Sequence, residues 1–273
     1  MAELLLGSIF LLGLLTITFY AILYFMQDKM LFYQRPLQIN IKQWIDQNHP
    51  NSEVKIVAKD GTKLHGWFLQ KIPQIPVIIY FGGNSEEVSG MAYHFEKFGN
   101  YSLLLINYRG YGLSEGKPSE KNLFDDAEAI FDTIVQWQNI NPKHIIVMGR
   151  SLGTGVAVHL ANNRPIQGVI LASPYDSITK IVQLNFPFVP TKLLLKHNFN
   201  SIGLAPTITS PMLALVATQD TIIPPSNSYN LAAKWNGINE IEWIEHANHD
   251  NIPDNEFYWN AIRRFLTKLT AKT

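Results

Sequence analysis

The chain has 273 residues, with 22 basic and 22 acidic side chains. That balance excludes a nucleic-acid footprint, which needs a clustered basic excess. With 47% apolar and 16% charged residues it can bury a full core, and zero cysteines exclude disulfides, thiolate metal sites and a cysteine nucleophile.

The first element in chain order is apolar. From Leu4 to Gln27 the only ionisable side chains are tyrosines. About 20 apolar residues cross a bilayer core, so residues 1–27 read as a single transmembrane anchor. A cleaved signal peptide is the competing reading; it needs a basic n-region and a small-x-small cleavage site. Here Glu3 stands at the start, and Tyr20, Tyr24 and Phe25 stand where small residues belong. Lys29, Arg35 and Lys42 follow the stretch, so the positive-inside rule leans toward a cytoplasmic domain. Residues 28–50 read as a connector and 51–273 as one folded domain.

Strands and helices then alternate. Residues 53–58 and 63–69 flank Asp60-Gly61, a hairpin turn. Residues 77–81, 103–107, 144–148, 168–172 and 212–217 are continuous apolar runs, which suit parallel strands covered on both faces. A weaker strand follows at 240–245, and helical patterns occupy 86–98, 122–138, 152–161, 226–235 and 256–269. The expected fold is α/β, a mostly parallel sheet of about eight strands with helices on both faces. Residues 175–210 break the alternation with several prolines and read as a short lid.

Gly149-Arg150-Ser151-Leu152-Gly153 matches G-x-S-x-G, a weak signal alone. Its setting, after an apolar strand and before a helix rich in small residues, is that of a nucleophile elbow. Ser151 is the candidate nucleophile. In such folds the acid and then the histidine follow the serine in chain order. His246 and His249 are the histidines after the last strand; His246 sits at the strand edge, and His249, in the next loop, is the better base. Asp220 ends the buried strand before them and would orient the imidazole; Asp176 is the runner-up, and Asp250 is too close in sequence to the base. Backbone N–H groups of Leu152 and of Asn84, in the Gly82-Gly83-Asn84 turn, are the candidate oxyanion donors. Tyr108-Arg109-Gly110-Tyr111-Gly112 lies on the same rim and reads as shaping the site.

Together these pieces resemble the membrane-anchored α/β-hydrolase-domain serine hydrolases, related to eukaryotic protein depalmitoylases and to bacterial peptidase-like homologues. The resemblance runs from the anchor and Lys29-Met30-Leu31-Phe32-Tyr33 through Asp60-Gly61-Thr62, Gly83-Asn84, the Tyr108–Gly112 and Gly149–Gly153 motifs, and Ser173-Pro174 to Asp220 and His249. It implies that Ser151, Asp220 and His249 carry the family's catalytic roles. Three positions depart from the pattern. Gly82 stands for a usual His, which predicts a looser oxyanion turn; Asn107 stands for Asp, and Ala217-Thr218 for His-Gly.

The expected function is hydrolysis of a carboxylic ester or thioester through an acyl-enzyme, with no metal or organic cofactor. The expected partners are a small-molecule or acylated-protein ester and, through the anchor, membrane lipid. A prolyl-oligopeptidase-type serine peptidase and an inactive membrane scaffold are the alternatives.

Overall fold

The computed structural model describes residues 1–71, 76–138 and 140–271. Helix α1 (Ala2–Leu31) buries none of its residues and is, among the described residues, the one helix long and apolar enough to cross a membrane. It continues past Gln27, so the segment read as a connector begins inside it. That segment also contains a second helix, α2 (Ile39–Asn48), where Ile41 and Ile45, one turn apart, are buried. His49-Pro50 then ends the helix, because the residue before proline disfavours the helical region.

Strands β1 (Glu53–Val57) and β2 (Lys63–Leu69) form the expected hairpin. Its turn needs the left-handed backbone of Gly61 (φ 87°), and Asp60 Oδ1 accepts the Thr62 N–H at 3.1 Å. Strand β3 (Val77–Phe81) leads into a 3₁₀ helix at Val88–Phe98, where an α-helix was expected, and then into β4 (Ser102–Ile106). Val88, Met91, Phe95 and Phe98 are all buried there. A near-threefold apolar spacing suits either helix, so periodicity alone does not separate them. The chain continues through α3 (Glu120–Gln138), β5 (Ile145–Arg150), α4 (Leu152–Asn163) and β6 (Gly168–Ala172). Three short helices, α5 (Ile178–Asn185), α6 (Thr191–Leu194) and α7 (Ser201–Leu204), fill the insertion. Then come β7 (Met212–Ala217), α8 (Pro225–Lys234), β8 (Asn239–Ile244) and α9 (Glu256–Thr270).

The eight strands form one sheet in the order β1-β2-β4-β3-β5-β6-β7-β8, with β2 alone running against the rest. Helices cover both faces, as expected. Ile79, Phe81 and Val147 pack among α3 and α4 side chains, while Ile78, Tyr80, Ile146 and Met148 pack with α2, the 3₁₀ helix and α9. Burial on alternate faces explains why the strands read as unbroken apolar runs. The order turns back on itself at β3, which pairs with β4 on one side and β5 on the other. Open α/β sheets bind ligands beyond the strand C-termini at such a switch point.

Arg109, from the rim motif, fastens the hairpin to the core. It donates Nε and Nη2 to Asp126 at 2.7 Å each, and Nη1 to Asp60 at 2.5 Å and to Thr62 Oγ1 at 3.0 Å. Arg109 and Asp126 are both buried. Removing one partner strands the other charge inside the protein. Asp126→Ala is expected to cost about 3–5 kcal/mol, and Asp60→Ala, at a half-exposed carboxylate, far less. Chemical denaturation of the detergent-solubilised protein measures both.

Candidate active site

The site lies at the C-terminal ends of β3, β5 and β7, next to the switch point. At the β5–α4 turn Ser151 has φ 50° and ψ −119°, a backbone conformation that costs an L residue energy and must be held by its surroundings. Flanking glycines make room for it. A Cβ on Gly149 would collide with the Gly153 backbone, and one on Gly153 with the Phe81 carbonyl of β3. The Ser151 N–H is tied to the Ala172 carbonyl at the end of β6, 2.9 Å away.

His249 approaches from the loop after β8. With its proton on Nδ1, the ring donates to Asp220 Oδ2 at 2.7 Å, and Nε2 accepts the Ser151 hydroxyl at 2.9 Å. All three residues are buried. Asp220 is held from its other oxygen, Oδ1, which accepts the N–H groups of Ile222 (3.0 Å) and Ile223 (2.8 Å). Burial pushes this carboxyl up, but the hydrogen bonds from His249 and the Ile223 N–H outweigh burial and hold it below its usual range. It therefore stays ionised where an imidazole titrates.

The other candidates lie apart. His246 is exposed, takes a left-handed backbone (φ 61°) and donates its N–H to Thr218 Oγ1 at 3.1 Å. Asp176 is buried where the insertion begins, and its Oδ1 accepts the N–H of neighbouring Ser177 at 2.6 Å; burial raises its pKa. Asp250 is exposed. Among the described residues no group of three or more His, Cys, Asp or Glu is arranged to hold a metal ion.

Leu152 opens α4, so its N–H lies in the first turn and has no partner within the helix. The Gly82-Gly83-Asn84 turn sits beside Ser151: a Cβ on Gly83 would lie 3.6 Å from Ser151 Cβ. This turn is not loosened by the glycine at 82. The Gly82 carbonyl accepts the Tyr108 hydroxyl at 3.0 Å, the Gly83 N–H donates to Glu86 Oε2 at 2.8 Å, and the Asn84 carbonyl accepts the Tyr111 hydroxyl at 2.5 Å. A Cβ at 82 would crowd Val88 and Glu86, so Glu86 stands in the space a larger residue would need. Asn107, the second departure, is buried; its amide donates to Glu87 Oε1 at 2.6 Å and accepts the Val88 N–H at 3.0 Å.

Two positions that tie the candidate site together escaped sequence reasoning. Arg150 Nη1 pairs with Glu86 Oε2 at 3.2 Å, and Nη2 donates to the His249 carbonyl at 3.1 Å; Glu86 Oε1 also accepts the Tyr80 hydroxyl at 2.7 Å. One ion pair thus links the elbow, the glycine turn and the histidine loop. Burial lowers the Arg150 pKa, but Glu86 more than offsets it and the guanidinium stays charged. The available signal was a charged residue inside the elbow with an acid just past the Gly-Gly turn.

Comparison with known proteins bears on the fold and the family. Residues 76–201 match the family model described as serine aminopeptidase, S33. The α/β-hydrolase domain-containing protein 17B of Xenopus tropicalis is 30% identical over 212 residues, which cover 76% of this chain and 72% of that protein. Among solved structures, an α/β hydrolase from Vibrio vulnificus superposes with a TM-score of 0.66 at 22% identity, covering 90% of each chain. An acetyl xylan esterase from Paenibacillus sp. R4 gives 0.64 at 19% identity, covering 89% of this chain and 98% of its own. With this sheet order, and with a relative at that identity and coverage, the chain belongs to the α/β-hydrolase family, as a hydrolase related to the α/β-hydrolase domain-containing proteins.

Proposed function

We propose that the protein is a membrane-anchored serine hydrolase that cleaves carboxylic esters or thioesters through an acyl-enzyme. The observation that carries this reading is the continuous hydrogen-bond chain from the Ser151 hydroxyl through the His249 ring to Asp220. In it Ser151 attacks the carbonyl carbon while His249 Nε2 takes its proton. Asp220 fixes the tautomer and stabilises the imidazolium without becoming protonated. The N–H groups of Asn84 and Leu152 hold the oxyanion. His249 then returns the proton to the leaving alcohol or thiol, and water repeats the sequence to release the acid. Residues 1–27 serve as the anchor, 28–50 as a connector that includes α2, and 51–273 as the catalytic domain on the cytoplasmic side, with a lid near 175–210.

A bilayer-anchored active site favours acylated substrates, whether lipid-like esters or acylated proteins. The insertion supplies apolar side chains such as Ile181, Val182 and Leu194 for an acyl chain. One observation supports a second reading, a serine peptidase: the description of the matching family model. Aminoacyl and peptidyl anilides assayed beside esters divide the two, and faster anilide cleavage favours the peptidase.

Ser151→Ala is expected to abolish both turnover and fluorophosphonate labelling with an unchanged circular dichroism spectrum; wild-type kcat in this variant would sink the assignment. His249→Ala is expected to cost at least about 10³-fold in rate, and His246→Ala far less. Single-turnover assays rank them, and the reverse order identifies His246 as the base. With p-nitrophenyl esters from about C2 to C12, kcat/KM is expected to rise with chain length, by up to about 0.8 kcal/mol per buried methylene. A maximum at the short end would refute the acyl-chain reading and leave the serine hydrolase intact.

A further inference from the structure

The insertion between β6 and β7 has an unusual surface. From Asp176 to Asp220 no acidic side chain intervenes, while Lys180, Lys192 and Lys196 do. Helix α5 buries none of its residues, and Phe188 and Leu193 are each 83% exposed. Contiguous exposed apolar side chains of this size mark a surface that something covers.

Its position against α1 indicates what. The Tyr20 hydroxyl donates to the Phe188 carbonyl at 2.9 Å. Gln27 Nε2 donates to the Leu194 carbonyl at 3.0 Å, and Gln27 Oε1 accepts the Lys196 N–H at 2.8 Å. Asp28 pairs with Lys196 at 3.1 Å and with His197 at 2.9 Å. The polar end of α1 therefore meets the base of the insertion, and Tyr20, inside the uncharged stretch, meets its tip. Two helical turns separate Tyr20 from Gln27, about 10 Å at 1.5 Å per residue. Between the two elements lies an apolar cavity of about 540 Å³, bounded by Phe19, Leu23, Met30, Val182, Phe186 and Leu195.

We propose that α5 and α6 dip into the same bilayer leaflet as α1, as a second membrane contact of the catalytic domain. Phe186, Phe188 and Leu193 then lie among the acyl chains, and a lipid chain fills the cavity. The depth set by Tyr20 matches the roughly 5–10 Å to which interfacial helices sink. Lys180 and Lys192 reach back to anionic headgroups, while Lys196 stays paired with Asp28; between Asp176 and Asp220 no carboxylate intervenes to oppose them. Water would leave the two most exposed apolar side chains of the insertion uncovered; the leaflet that holds α1 covers them at no further cost in association. This inference rests on the reading of α1 as a membrane anchor.

The cysteine-free chain offers a direct test, since any introduced cysteine is unique. Full-length Phe188→Cys, Leu12→Cys and Ile238→Cys proteins are labelled with a nitroxide and reconstituted into phosphatidylcholine–phosphatidylglycerol vesicles. Leu12 reports on α1; Ile238 is exposed and precedes β8, at the end of the sheet opposite the site. Electron paramagnetic resonance then compares accessibility to oxygen, which concentrates in lipid, with accessibility to a water-soluble nickel chelate. The expected result is oxygen-dominated relaxation at 188 and 12, and the inverse ratio at 238. Oxygen dominance at 12 with nickel dominance at 188 overturns the second contact and leaves the anchor standing. Nickel dominance at both 12 and 188 overturns the anchor and this inference with it. Leu193→Cys gives the same readout if the label at 188 prevents reconstitution.

Discussion

The constraint on which the site depends is the close approach of α4 to β3 at the β5–α4 turn. Ser151 can hold a left-handed backbone only because no Cβ stands at Gly149 or Gly153, where the backbones of β5, α4 and β3 meet. A helix that begins this tightly against the sheet points its first N–H groups at the strand C-termini, where an oxyanion would develop. The same contact brings the end of β3, and with it the glycine turn, beside the serine. The candidate nucleophile and the candidate oxyanion donors are thus set by one packing event.

The remaining parts are brought to this point by polar contacts. Strands β7 and β8 deliver Asp220 and the loop of His249 in adjacent register, Ala217 opposite Ile244. A loop histidine needs a second support besides its acid, and the Arg150–Glu86 pair supplies it at the His249 carbonyl. Because Glu86 also accepts the Gly83 N–H and the Tyr80 hydroxyl, a shift of any one piece strains the others. Both side chains are partly buried, and desolvation offsets much of an ion pair's attraction, so such a pair is suited to fixing geometry rather than to adding stability.

Much of this was legible in the sequence, for identifiable reasons. Strands buried on both faces leave continuous apolar runs, and an elbow needs glycines at fixed spacing, so β3 to β7 and Ser151 stand out. His249 could be separated from His246 by chain order and strand end alone. What stayed hidden depends on contacts between segments distant in sequence. Glu86 and Arg150 are 64 positions apart, and nothing local in the sequence joins them into one pair. Helix α2 shows only three core-facing apolar positions, Ile41, Trp44 and Ile45, too few to stand out from a connector. The glycine at 82 reads as a lost side chain until Glu86 is seen beside it, and Asn107 reads as a lost charge until Glu87 is seen at its amide.

The segment that leaves α1 is not a tether. A flexible linker would let the domain sample many orientations, but here the Tyr33 N–H donates to the Asn84 carbonyl at 3.1 Å and the Arg35 carbonyl accepts the Gly112 N–H at 2.8 Å. Phe32, between α1 and that strap, is buried in the core beside Phe199. The first residues after the helix are therefore part of the rim of the site. Bonds from Tyr20, Gln27 and Asp28 to the insertion fix a second side of the same helix. Held from the glycine turn and from the insertion, α1 has one orientation relative to Ser151. In the proposed membrane setting, the helix that anchors the domain also aims its active site, because the strap that follows it grips a peptide carbonyl of the turn assigned to the oxyanion.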